Sequence, residues 1–100
     1  MYKIKTKYGE TYDVTLKFGK YSNGRTAIEL IDCEDGFPLM TATVNLPEAE
    51  IQDDEVIIKN YSENEGVLEF LIKNEIVSPP TRTIPTGWVT CQVVKLLKTN

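Results

Sequence analysis

Residues 11–32, TYDVTLKFGKYSNGRTAIELID, decide how this chain folds. Tyr12, Val14, Leu16 and Phe18 fall on one face at the period of two that marks a half-buried strand. Asn23-Gly24 follows, the strongest short hairpin signal, because a type I′ turn needs positive φ at both central residues. TAIELID then returns as a second strand of the pair. Two strands joined by a tight turn run antiparallel.

The same pattern extends on both sides. Upstream, YKIKTKY alternates Tyr2, Ile4, Thr6 and Tyr8 with Lys3, Lys5 and Lys7, and Gly9-Glu10 supplies a turn. This places the tyrosines toward the core. Downstream, CEDGFP turns at Asp35-Gly36 and LMTATVNL forms a β-branched fourth strand, with Met40, Ala42, Val44 and Leu46 on one side and Pro47 at its end. Val56-Ile57-Ile58 is a short fifth strand. Ser62 with Glu65 three residues on matches a capping box. Gly66 weakens that first turn slightly. Val67, Leu68, Leu71 and Ile72 make an apolar stripe, with Lys73 in the last turn and Asn74 as C-cap, so one principal helix is predicted near residues 63–74. SPPTRTIPTG reads as a proline-rich loop outside any regular ladder, and WVTCQVVKLL as a terminal strand with Trp88 in the core. The expected fold is a single α+β domain over residues 1–100. Its antiparallel sheet has five to six strands, and the helix packs across the concave face. One helix cannot cover both faces of such a sheet, so either the sheet curls or one face stays wet.

Composition narrows the chemistry. With 41% hydrophobic and 26% charged residues the chain should fold. No apolar run approaches the ~20 residues of a membrane span, and MYKIKTKYGE lacks a signal-peptide core, so a cytoplasmic location is expected. Histidine is absent, which removes imidazole acid–base catalysis, Ser-His-Asp and Cys-His nucleophiles, and His-ligated zinc. Cys33 and Cys91 have no CxxC partner and read as reduced, half-buried thiols. No nucleotide-binding glycine motif occurs. Neither an enzyme, nor a cofactor, nor a metal site is expected.

Charge is unevenly spread. Between Pro47 and Glu69 stand eight carboxylates, Glu48, Glu50, Asp53, Asp54, Glu55, Glu63, Glu65 and Glu69, with one cation, Lys59. Carboxylates crowded on ordered elements repel one another, so a surface that keeps them is a candidate for use. Such an array imitates the regular charge of nucleic acid and fits a basic groove in a protein partner. The expected contact set is Glu48, Glu50, Asp53, Asp54, Glu55 and Glu63, against the alternative of a plain solvated face. The loop around Arg82, with Ile84 near it, is either an anchor or a plain connector that seats Ile84 in the core. The competing reading uses the Lys3, Lys5 and Lys7 face to track a phosphate backbone. Its bland counterpart is edge protection.

KIKTKYGETYDVTLKFGKYSNGRTAIELID, MTATVNLPE, ENEGVLEFLIKNEIV and PTRTIPTGWV resemble blocks of a family of small proteins encoded on bacterial conjugative elements and prophages. The resemblance covers nearly the whole chain and transfers no active site. It implies a counter-defence role, in which such proteins act as anti-CRISPR inhibitors of the type II RNA-guided nuclease. The positively charged guide and target channels of that nuclease make it the implied partner. A structural or accessory role in a mobile element is the remaining alternative.

Overall fold

The computed structural model describes residues 1–98, and for Glu63 the backbone alone. Among the described residues the chain forms seven strands and one short helix. The strands are β1 (Tyr2–Lys5), β2 (Thr11–Lys20), β3 (Thr26–Asp32), β4 (Pro38–Thr41), β5 (Glu55–Ile58), β6 (Arg82–Pro85) and β7 (Thr90–Lys95), and α1 spans Val67–Lys73. The antiparallel α+β class holds. The single sheet of five to six strands does not: there are two sheets, β1-β2-β3-β4 and β5-β7-β6.

The hairpin at residues 11–32 sets the first sheet. Leu16 pairs with Leu30 and Phe18 with Ile28, so the apolar faces of β2 and β3 coincide. The connection is longer than the expected two-residue turn. Lys20 pairs with Thr26, Tyr21 donates to the Arg25 carbonyl, and Gly24 at φ +86° takes the left-handed position while Asn23 does not. β1 also stops sooner than its alternation suggests, at Lys5. Thr6 to Gly9 form a turn, so Tyr8 lies exposed rather than toward the core.

The fourth strand ends at Thr41 because the chain then crosses between sheets. Ala42 donates to Ile28 of the first sheet, and Val44 donates to Ile57 of the second. Thr43 sits between them. Its hydroxyl bonds Tyr21 Oη at 2.9 Å and accepts from the Ile28 amide at 3.2 Å, which satisfies a buried polar group at the bend. The two sheets thus meet at an isolated bridge between Thr43 and Ile58, without closing.

β5 is buried along its whole length because both of its faces are covered. Val56 and Ile58 join the main core with α1 (Val67, Leu68, Phe70, Leu71) and the inner face of the first sheet. Ile57 faces the other way, into a second cluster with Cys91 and Val93. No second helix covers that face. Val44, Leu46, Ala49 and Ile51 do so, from the loop between β4 and β5.

The helix is shorter than the stretch 63–74, and the capping box is not made. Ser62 opens a 3₁₀ turn, Ser62–Asn64, at φ +55° and makes no side-chain cap. Asn60 caps instead: its Oδ1 accepts from Gly66 at 3.1 Å and Leu68 at 3.0 Å. Asn74 is the C-cap, as expected. SPPTRTIPTG does contribute a strand. β6 pairs with β7 as an edge strand, where Pro85 removes no ladder bond that a neighbour needs. Trp88 is outside the core altogether, 99% exposed. Cys91 is buried and Cys33 exposed, both as free thiols. Among the described residues no helix is long and apolar enough to cross a membrane.

Candidate functional site

The acidic tract divides when it folds. In the loop before β5, apolar Leu46, Ala49 and Ile51 turn inward onto the second cluster, and Glu48 and Glu50 face solvent. Asp53 and Asp54 lie exposed in the turn that enters β5. Among the described residues none of these four carboxylates is engaged in an ion pair.

The loop that carries them is tied down by both of the chain's arginines. Arg25, from the β2–β3 connection, donates to the carbonyl of Leu46 at 2.7 Å and to that of Ala49. Arg82, at the start of β6, donates to the carbonyl of Glu50. A guanidinium carries several donors in a rigid fork, so Arg25 fixes two carbonyls on a loop that has no ladder of its own, and Arg82 fixes one while holding Glu55 on β5. Ala49 N–H to Leu46 O at 2.9 Å adds a local turn, and Leu96 N–H bonds Asp54 O at 2.7 Å. The outward carboxylates therefore stand on ordered backbone.

Glu55 departs from the expected surface. It is 5% exposed, so it belongs to the interior rather than the acidic face. Its period-two position puts it on the same side of β5 as Ile57, facing Arg82. Arg82 Nη1 lies 3.2 Å from Oε1 and 3.1 Å from Oε2, and Gln52 N–H donates to Oε1 at 2.8 Å. The Gln52 amide first, and then Arg82 and the Thr81 hydroxyl, outweigh burial and hold the Glu55 carboxyl below its ordinary range. Arg82 is correspondingly not a free anchor: its head group is engaged with Glu55 and the Glu50 carbonyl. Ile84 packs against the second cluster. The side chain of Glu63 lies outside the described residues. Glu65 is 3.7 Å from Lys7 and so is partly neutralised.

The lysine face is neutralised in part, and Lys7 lies in the turn after β1 rather than on the strand. Lys3 Nζ donates to Asp13 at 2.8 Å, which raises the lysine's affinity for its proton. Lys17 stands opposite Glu29 in register. β1 is an edge strand, the position where exposed lysines guard against sheet-to-sheet pairing.

Two contributors carry no signal in the sequence that names their role. Arg25 reads as one more cation in a basic N-terminal segment, and its role depends on a contact 21 residues away. Hydrophobicity alone places Trp88 in the core. Its glycine neighbour, Gly87 at φ +79°, is the mark of a tight turn that holds the indole at a loop tip. Among the described residues no cluster of three or more Cys, Asp or Glu is placed to hold a metal ion. No family model matches the chain, and no curated protein or solved structure matches it.

Proposed function

We propose that this chain works by binding, without catalysis, and that Glu48, Glu50, Asp53 and Asp54 dock on a basic groove of a protein partner. One observation carries the reading. Four exposed carboxylates without described ion pairs project from a loop whose backbone two arginines hold. Crowded like charges cost stability, and ordering their backbone keeps the cost rather than relieving it. Against a basic groove the same charges speed encounter and set register. The resemblance to mobile-element proteins supplies the partner: the type II RNA-guided nuclease or its guide complex, in the cytoplasm of the host cell.

The test is capture of that nuclease, with and without guide RNA, followed by an assay of DNA cleavage. The wild-type chain is expected to bind and inhibit. The variant carrying Glu48→Gln, Glu50→Gln, Asp53→Asn and Asp54→Asn is expected to associate more slowly, most strongly at low salt. Undiminished capture and inhibition by that variant would remove the acidic face from the mechanism. Absence of capture by the wild type would remove the nuclease as partner.

A further inference from the structure

The β6–β7 hairpin turns on Gly87 and Trp88. Thr86 donates to the Val89 carbonyl twice, from its amide at 2.8 Å and its hydroxyl at 2.9 Å, and Trp88 N–H bonds Thr86 O at 2.9 Å. Gly87 adopts φ +79°, a conformation that an L side chain rarely takes. The flanking residues Ile84 and Val89 pack inward, so the tip is fixed at its base. At that tip Trp88 is 99% exposed, the largest apolar side chain of the molecule left in water. A groove of about 440 Å³ opens at the same hairpin, lined by Ile84, Pro85 and Thr86 on one side and by Leu46, Pro47, Glu48 and Ala49 on the other; Thr86, two residues before Trp88, is its link to the tip.

We propose that Trp88 and this groove are the anchoring part of the docking surface, and that they take a basic protein segment with an aliphatic side chain between its cations. The groove takes the aliphatic side chain, and the indole face packs on the stem and charge of a neighbouring Lys or Arg. The inference rests on the reading of the chain as a binding protein and names the chemistry of what it binds. Charge selects the occupant. Glu48, Glu50, Asp53 and Asp54 all belong to the loop that forms one wall of the groove or to its continuation. A second copy of the chain would bring the same carboxylates against themselves. An anionic lipid surface or a nucleic acid would be repelled in the same way. A cationic segment is attracted. Tryptophan is enriched among the few interface residues that dominate affinity, and charges at the rim mainly set the rate of encounter.

The chain has one tryptophan, so its emission reads residue 88 alone. The full chain is titrated with a short synthetic peptide alternating Lys and Leu, and separately with Lys-Ser and Glu-Leu peptides of equal length. The Lys-Leu peptide is expected to shift Trp88 emission to the blue, protect it from a soluble quencher, and move the amide resonances of Leu46, Ala49 and Ile84. The other two peptides should bind at least roughly tenfold more weakly. Trp88→Ala should weaken Lys-Leu binding by roughly tenfold or more, read by the same amide resonances. Its fold should be unchanged, because the side chain touches only water. No shift of emission or amides with any peptide overturns the proposal. So do equal responses to all three, an emission shift that follows the concentration of the chain alone, and a shift seen only with zwitterionic phosphatidylcholine vesicles. The nuclease assay separates this failure from that of the binding reading. If the four-acid variant loses capture and Trp88→Ala keeps it, the acidic docking stands and the hairpin anchor falls. If the wild type captures nothing, the nuclease falls and the peptide titration alone judges the anchor.

Discussion

Glu55 shows how one residue can change its role with its strand register. In sequence it is the third member of Asp53-Asp54-Glu55, and it reads as the same kind of charge as its neighbours. In the fold it enters β5, where Lys95 pairs with it in register and burial leaves it 5% exposed. A buried carboxylate must be satisfied, and Gln52, Arg82 and Thr81 do this. Glu55→Ala leaves the Gln52 amide and Arg82 Nη1 without their acceptor, while Arg82 Nη2 keeps the Glu50 carbonyl. The expected cost is about 2 kcal/mol, below that of a fully enclosed pair, because Arg82 keeps a path to solvent. The pH dependence has a definite sign. The folded carboxyl titrates below the unfolded one, which lies at about 4.5. Its stabilisation is therefore complete above the unfolded value and drains away as pH falls through the folded one. The melting temperatures of wild type and Glu55→Ala should differ by a constant amount from neutral pH down to about 5, and the gap should narrow as pH falls below the unfolded value and through the folded one. A gap that persists at the lowest pH would show that packing, not charge, sets the cost. Glu75 offers the opposite opportunity. It follows the C-cap at φ +58°, with Glu75 N–H on Ile72 O and Ile76 N–H on Leu71 O, the bonding of a Schellman motif. Glycine usually holds that left-handed position, and an acid there also opposes the helix dipole. Glu75→Gly should raise stability by about 0.5–1 kcal/mol in denaturant titrations.

At the scale of the element, α1 depends on a cap from outside its own first turn. Ser62 and Glu65 have the spacing of a capping box, and spacing is all that a sequence displays. The chain instead inserts a 3₁₀ turn and a left-handed Gly66, so the orphan amides point at Asn60. Asn60→Ala should cost about 1 kcal/mol, and Ser62→Ala should stay within about 0.5 kcal/mol of wild type in thermal melts. The reverse order would restore the capping box. The reach of the determining contact likewise decides which elements are legible in the sequence. Where neighbouring residues determine an element, local pattern suffices: period two finds β2, β3 and β7, and a short apolar run finds β5, although the Asn23-Gly24 signal gives the wrong turn length. Where a distant partner determines it, they do not. β6 needs β7 to accept a proline-bearing edge, and the fourth strand breaks at Thr41 because Thr43 must serve two sheets. The inward turn of Leu46, Ala49 and Ile51 is likewise dictated by an uncovered face that composition cannot reveal. Of the site, the density of acid was legible. The separation of Glu55 from its neighbours and the arginine clamps were not, because both are contacts between elements.

Across the whole molecule the two charged regions have opposite fates, and this bears on nucleic acid as a competing partner. The acidic loop keeps its outward charge. The lysines of the first sheet are offset in part: Lys3 lies 2.8 Å from Asp13, Lys17 stands opposite Glu29 in register, and Lys7, in the turn after β1, lies 3.7 Å from Glu65. A phosphate backbone approaching the lysines would also meet these carboxylates. A face that engaged phosphates through three free lysines would give a slope of about −2.7 in log affinity against log salt on duplex DNA. Lys3 and Lys7 already hold carboxylates, and of the three only Lys5 shows no ion pair among the described residues, so weak binding and a slope no steeper than about −0.9 are expected for the wild type. Replacing Lys3, Lys5 and Lys7 with glutamate should then change almost nothing in a labelled-duplex anisotropy titration, or with single-stranded RNA. Some loss of thermal stability should accompany the variant, since Lys3→Glu sets a second carboxylate beside Asp13 in place of its cation. That loss is measured separately, so it cannot be mistaken for lost binding. Tight wild-type binding with a steep salt slope, abolished by the three substitutions in a variant that still folds, would move the functional surface from the acidic loop to the first sheet.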